Sequence, residues 1–566
     1  MCLLRGSIVT ILKANQFILI LLGIAVFLAV VTVCTTFVTS LDQADWGLLS
    51  RLPVAYWLGI VSLGLAIVFS LRNSISLNTR TSFALVILIM VYINVLPIFV
   101  EQPVGLSPNA LWPLSEANNV IATGHISIGK SGQLMSYDSW PFFTLFASLL
   151  KMVTGTPLIV LTKWFPILTV SLWGLLVFLV LKKFTRPEFA LLGVGLFICG
   201  SWTKQQYFGP QSFAFSLFLL FLYLILNRSR YELESDQRPF FALTFITFVA
   251  TVFSHALTSL VLLLIILVSY AAAKVFAAHE VRKKKSDLFF FLLCCVVFFS
   301  YTINLTPRFF NFAFNTFVNY ITGQTGFAVA QRLIRLPGSQ IQQLTNGSIY
   351  LLIIAYLSIS LIGLLQIIRK KTMPLMQVTF LIGSFAAIFL VSILPYTSEA
   401  PFRAFIFGLP LFSLLAVYLL KKKPKVLGSF LLLALIVGIP ALYGSESYRL
   451  ATASELQGAN YTATYLPNTG VLFYKVSPYI RYYEPSAILH FVSLGRAPFL
   501  SYNTTTTEAN LNASDYIVVS RSQTNYYVYY LGINPLEDID LNGQPDLAHA
   551  RLYDNGNFTV YDSSPS

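Results

Sequence analysis

The sequence predicts a polytopic α-helical membrane protein of about thirteen spans, followed by a small mixed α/β domain outside the membrane. Three observations predict it. Of 566 residues, 56% are hydrophobic and only 11% charged, with mean hydropathy +0.72, whereas soluble globules carry about a quarter charged residues. Apolar runs of about 20 residues, long enough to cross a hydrocarbon core of ~30 Å, recur along the chain. After Tyr443 they give way to short alternating runs such as VLFYKV, DYIVVS and NYYVYYL, which is strand patterning.

The first span, 17–38, follows Arg5 and Lys13. Its apolar core is longer than a signal-peptide core and no small-residue cleavage pattern follows, so it reads as an uncleaved anchor with a cytoplasmic N-terminus. Further spans are expected at 54–71, 82–100, 157–181, 188–201, 213–226, 240–254, 257–276, 288–305, 349–368, 375–394, 405–420 and 426–443. Those between 188 and 254 are short, as tilted or partly re-entrant helices buried in protein are. The run from Phe240 to Phe276 breaks at Ser254-His255 into a tight external turn. Alternating sides from a cytoplasmic N-terminus places every basic cluster inside: Arg72 and Arg80, Lys182 to Arg186, Arg228 to Arg238, Arg282 to Lys285, Arg369 to Lys371 and Lys421 to Lys425. The net charge of +14 therefore orients spans and does not point to nucleic acid. None of the five cysteines has metal-ligand spacing, and no metal site is expected from the residues alone.

The same alternation leaves 101–156, 201–212, 306–348 and everything after 443 outside. The chain is thus expected to divide into a membrane domain, 1–443, with a large outer loop at 101–156, and an extracytoplasmic mixed domain, 444–566. Within the first loop, Trp140 to Gly155 reads as an interfacial helix, because counting it as a span would invert every later basic loop. The 306–348 segment, with Arg308 and many aromatics, reads as a second interfacial loop. In the tail, Asn555-Gly556 between two alternating runs predicts a β-hairpin. Sequons at Asn460, Asn503, Asn512 and Asn557, with others at Asn304 and Asn346, agree with an exterior position.

No phosphate-binding glycine loop, HExxH, nucleophile elbow or outer-loop DxD pair is present, so any reaction must be assembled from outer-loop residues. Glu116 is the first candidate, a carboxylate outside the bilayer that could serve as general base. Asp138, in YDSWP, is a second acid or a helix cap. His125 could bind a phosphate or a sugar hydroxyl, and His255 is an ionisable group at a break between apolar runs, near the membrane surface. Outer cations near the span ends include Lys204, Arg308, Arg332, Arg335 and Arg403. Guanidinium groups pair bidentately with phosphate, so a ring of them at the outer leaflet suits a lipid phosphate or diphosphate head group.

An outer loop of the form acid, a few residues, "ATGH", then an interfacial helix opening with "SWPFF", short paired spans and a mixed outer tail together resemble the GT-C membrane glycosyltransferases. More narrowly, SEANNVIATGHI, QQYFGPQSFAFSLFLL, FSHALTSLVLLL and RLYDNGNFTVY look like archaeal multispan members of that superfamily. The resemblance implies transfer of a sugar from a polyprenyl-phosphate or -diphosphate carrier to a glycan or protein acceptor on the extracytoplasmic side. Glu116 matches the carboxylate that activates the acceptor. It is Glu where Asp is commoner, and its loop follows the third span rather than the first, so the first two spans would be an added hairpin. On this reading Asp138 or His125 positions the acceptor, and Arg403 with Lys204 or Arg332 stabilises the departing phosphate. Gln205, Gln206, Tyr207 and Gln211, with His255, contribute to binding lipid or sugar. The need for a divalent cation, Mg or Mn, stays open. A polysaccharide polymerase or ligase, a transporter and a non-catalytic envelope protein are the alternative classes.

Overall fold

The computed structural model describes residues 2–35, 47–72, 78–100, 110–126, 128, 139–203, 206–228, 234–276, 285–322, 340–393, 400–444, 452–466, 471–473, 489–491, 516–521, 551–556 and 558–562. Every expected span is helical. The chain opens with α1 (Cys2–Thr35), α2 (Val54–Arg72) and α3 (Thr79–Met90), and α3 continues through a π-helical turn, Val91–Val95, into α4 (Leu96–Val100). Two shorter helices follow, α5 (Leu111–Thr123) and α6 (Pro141–Thr154). Then come α7 (Leu158–Leu181), α8 (Pro187–Gly200), α9 (Pro210–Arg228), α10 (Glu234–Ser254), α11 (Ala256–Phe276) and α12 (Lys285–Asn304). After α13 (Pro307–Ile321) the bundle is completed by α14 (Gln340–Lys370), α15 (Leu375–Ile393), α16 (Ala400–Leu420) and α17 (Pro424–Tyr443).

Among the described residues, nine helices are long and apolar enough to cross a membrane. A tenth span is available if α12 is taken together with α13, which turns away from it by 102°. The helix α8 and the apolar part of α10 are short, as the residue pattern anticipates, whereas α9 is long enough to cross and the apolar part of α15 is shorter than expected. The protein is a multipass membrane protein. Its bundle buries aromatic contacts such as Trp173 against Phe215 at 4.7 Å and Phe218 against Phe407 at 5.1 Å. Lipid tails are as apolar as leucine, so helices gain by approaching closely across small residues. A Cβ at Gly438 would stand 2.6 Å from Cys199 O, and one at Gly363 would stand 2.8 Å from Leu415 O; these glycines set the α17–α8 and α14–α16 contacts.

The π-helical turn has its own supports. Such a turn shifts the carbonyl register and frees backbone acceptors that must be satisfied in a dry interior. Tyr56 Oη donates to Tyr92 O at 3.0 Å, and Tyr443 Oη donates to Ile93 O.

The tail holds α18 (Ala453–Tyr465) and five short strands, β1 (Val471–Phe473), β2 (Leu489–Phe491), β3 (Tyr516–Ser520), β4 (Arg551–Asp554) and β5 (Phe558–Asp562). They form one sheet in the order β2-β1-β3-β5-β4, parallel across β2-β1-β3 and antiparallel from β3 to β4. Asn555 and Gly556 (φ +81°) turn the chain between β4 and β5, as the Asn-Gly pair predicts. α18 starts with a capping box in which Thr452 accepts from Glu455 N and the Glu455 carboxylate accepts from Thr452 N.

A second apolar core stands apart from the bundle. Leu111, Leu114 and Ala117 of α5, Phe143 and Ala147 of α6, and Phe208 meet Leu456 and Ala459 of α18, Val518 of β3, and Phe558 and Val560 of β5. The tail is therefore packed onto the α5–α6 pair.

Candidate functional site

Glu116 stands on a helix. The stretch from Leu111, expected as loop, is helical to Thr123 for three reasons. Pro113 falls in the first turn, where its missing N–H costs nothing. Leu111, Leu114 and Ala117 recur at helical spacing and are buried, and Gly124 at φ +71° ends the helix. The helix is tied to α6, where Ser148 Oγ donates to Ala117 O at 3.2 Å and Lys151 Nζ donates to Asn118 Oδ1 at 3.0 Å. Glu116, half-buried, immediately precedes these two anchored residues. His125 lies beyond Gly124, exposed, with Nδ1 3.2 Å from Thr123 O. At ~1.5 Å of rise per residue it is on the order of 10 Å from Glu116 along α5, so the two side chains do not meet at one atom.

The α8–α9 connection, which carries Gln206 and Tyr207 and runs into Gln211, is clamped on three sides. Phe208 meets Phe143 of α6 at 4.9 Å, and Trp202 meets Phe402 and Phe405 of α16 at 5.5 and 5.8 Å. Gln206 Nε2 donates to Asn94 Oδ1 of the π-helical turn at 3.3 Å. Tyr207 is half-buried against the second core, and Gln211 is buried in the first turn of α9. Buried polar atoms of this region without a hydrogen-bond partner in the protein include Ser201 Oγ, Trp202 Nε1, Gln206 Oε1 and Gln211 Nε2.

His255 fills the one-residue break between α10 and α11, where its Nδ1 lies 2.9 Å from Thr258 Oγ1 and accepts from Thr258 N at 3.3 Å. The imidazole thus caps α11. Burial, and secondly the Arg403 guanidinium, push its pKa down to about 3, so it is neutral. Arg403, in the first turn of α16, is accordingly within electrostatic reach of His255 and neighbours Phe402, which packs on Trp202. At the same end Tyr301 Oη donates to Ser139 O at 2.6 Å, and Phe309 of α13 meets Trp140 edge-on at 5.2 Å. Arg308 is exposed at the start of α13. Asp138, Lys204, Gln205 and Arg332, with Arg335, lie outside the described residues.

The chain aligns with the oligosaccharyltransferase of Archaeoglobus fulgidus in its apo form at 12% identity and a TM-score of 0.53, over 86% of this chain and 74% of that one. The same enzyme in complex with Zn and sulfate aligns at 12% identity and 0.51, over 85% and 73%. The fold is that of the GT-C membrane glycosyltransferases. ArnT from Cupriavidus metallidurans, bound to undecaprenyl phosphate, aligns more loosely, at 12% identity and a TM-score of 0.37 over 91% of this chain and 99% of that one. No protein-family model matches the sequence, and no curated protein matches it.

Among the described residues, no three His, Cys, Asp or Glu side chains gather as a metal site would need. Two members of the site escape sequence reasoning, Trp202 and Asn94. Asn94 had a legible signal, since a side-chain amide inside an otherwise apolar span needs a partner. Trp202 had none, because its neighbours come from a helix two hundred residues away.

Proposed function

We propose that this chain is a membrane glycosyltransferase that moves a sugar from a polyprenyl-phosphate-linked donor to an acceptor on the extracytoplasmic face. One observation carries the reading. In a GT-C fold, the end of the bundle that bears the Glu116 helix also holds Arg403 and the N-termini of α9, α11 and α16. Helix N-termini carry partial positive charge and favour anions. A carboxylate for the acceptor and a cationic patch for a phosphate thus share one end of the molecule.

The reaction is a single inverting displacement. Glu116 takes the proton from the acceptor, whose freed electron pair forms the new bond to the anomeric carbon. The bond from that carbon to the phosphate oxygen breaks, and its electrons leave with the polyprenyl phosphate. Arg403, with Lys204 or Arg332, stabilises that developing charge, which is where fixed cations contribute most. Asp138 holds the acceptor. His125, a helix length from Glu116, serves a more distant part of the donor. Gln205, Tyr207 and Gln211 hydrogen-bond lipid or sugar. The oligosaccharyltransferase neighbour is described with Zn and sulfate, and the need for a divalent cation here is what the chelator arm below tests.

The test is sugar transfer in nanodiscs from radiolabelled polyprenyl-phosphate sugars, with and without chelator. Glu116→Gln is expected to lower the rate by about 10²- to 10⁴-fold while donor binding persists. A folded variant with full activity would remove the mechanism.

A further inference from the structure

We infer that an anionic phospholipid binds at the end of the bundle opposite the Glu116 helix, with one chain in a crevice of the bundle and its phosphate between the α7–α8 and α16–α17 turns. This stands apart from the sugar-transfer reading. The crevice lies between α7, α9, α11, α15 and α16 and is open on one side. Val180, Phe184, Leu222, Phe407 and Leu414 line it, with other apolar side chains and Ser384. Such a lining suits hydrocarbon and offers a charged molecule almost no partners. Phe407 and Leu414 are seven residues apart on α16, and seven more lead to Lys421, whose N–H still donates to Val417 O at 2.8 Å and keeps the helical register. The crevice and the Lys421 ammonium thus share one face of that helix. On the α7 side the lining runs to Phe184, two residues before Arg186.

Segments 182–188 and 421–425 carry seven cations and one acid, Glu188, which Arg186 reaches at 4.0 Å. Lys421 is half-buried, with its ammonium 3.9 Å from the centre of the Tyr418 ring, and Tyr418 is tied to the α14–α15 turn by donating to Thr372 Oγ1. Lys183 donates to Asn227 Oδ1 of α9 and lies 5.3 Å from the Tyr223 ring centre. Burial, then Lys422 and Arg186, push the Lys421 pKa down, so the two turns hold cations within electrostatic reach of one another. Charge that only orients spans works as well when spread through a loop, and gains nothing from being half-buried beside like charge. A phosphate placed there offsets the repulsion, pairing with the Arg186 fork and the lysine ammonium groups. A phospholipid joins a hydrocarbon chain to a phosphate, and crevice and cations adjoin in that order.

The experiment uses the full chain in detergent, with retained lipid counted by native mass spectrometry after addition of phosphatidylglycerol or of phosphatidylcholine with the same chains. The wild type is expected to hold phosphatidylglycerol about 10-fold more tightly, a difference of ~1.4 kcal/mol. Lys421→Gln combined with Lys422→Gln should abolish that preference. The same protein should melt no lower than the wild type in phosphatidylcholine alone, because it loses a repulsion. Lys274→Gln combined with Arg369→Gln removes as much charge from exposed positions in the last turns of α11 and α14, and should keep the preference. Leu414→Phe, which narrows the crevice, should weaken retention of both lipids and leave the preference between them. Equal loss in the two charge variants overturns the site, since the binding then belongs to diffuse basic charge. Displacement of phosphatidylglycerol by free glycerol 3-phosphate overturns the lipid assignment in favour of a soluble phosphate. Equal retention of the two lipids by the wild type removes the inference outright, and sugar transfer is untouched by any of these results.

Discussion

Arg403 and His255 show what single residues decide at this site. Their proximity makes protonation of the imidazole unfavourable, and burial adds the larger part. The folded-state pKa of about 3 lies below the ordinary 6.5, so as pH falls through that window the unfolded chain takes up a proton that the folded chain refuses. Stability contributed by the neutral imidazole is therefore complete above about 6.5 and is lost progressively towards 3. His255→Gln keeps a capping acceptor without the titration. Its melting temperature should fall less than that of the wild type across that window, and parallel curves would show that the imidazole is not desolvated. Arg403→Lys keeps the charge but loses the planar fork that matches a phosphate. Binding of bare polyprenyl phosphate should weaken roughly 10-fold, to be measured in the nanodisc assay, and an unchanged affinity would take Arg403 out of the phosphate site. Glu116 was legible in the sequence as an acid outside the apolar runs. Its placement was not, because the Asn118-Asn119 pair and Pro113 look like loop residues until burial of Leu111, Leu114 and Ala117 is known.

At the scale of elements, the informative piece is the π-helical turn between α3 and α4. The periodicity of 82–100 predicts a span and carries no mark of the extra residue in the turn. Two tyrosines, Tyr56 of α2 and Tyr443 of α17, donate to the carbonyls of Tyr92 and Ile93 in this turn. Asn94 then faces Gln206 of the α8–α9 connection. Tyr443→Phe deletes one of those donors and strands a buried acceptor, which costs about 1–3 kcal/mol. A lower melting temperature is expected. An unchanged melting temperature would mean that the Ile93 carbonyl has another partner. The short helix α8 and the break at His255 were expected from the residue pattern, and the helices end where Gly200 and Ser254 place them.

Across the whole molecule, the second core determines how the tail and the outer helices act together. Phe558 is fully buried, and a Cβ at Gly458 would come within 2.2 Å of its ring, so α18 and β5 meet without room for a side chain. The same core contains Leu114 and Ala117, the residues on either side of Ser115 and Glu116. Phe558→Ala opens a cavity that costs about 3–5 kcal/mol in a well-packed core. Hydrogen exchange should rise in α5 as well as in α18, and transfer activity should fall although no residue of the proposed chemistry has changed. Faster exchange confined to the tail would show that the two parts hold their structure separately.

By itself the sequence determined that this is a multipass helical membrane protein, where its long helices lie and that its last part is a mixed structure with an Asn-Gly hairpin. Those properties follow from short-range physics. A bilayer demands about 20 apolar residues with every backbone group paired within the helix, and a tight turn demands residues tolerant of positive φ. Only the tertiary structure decided that Glu116 rides on a helix, that the tail is packed onto that helix, and that Trp202, Gln206 and Arg403 share one end of the bundle. These depend on contacts between residues far apart in the chain, such as Trp202 with Phe402 and Ala117 with Phe558 in one core, and no local pattern encodes which distant side chain fills a given gap.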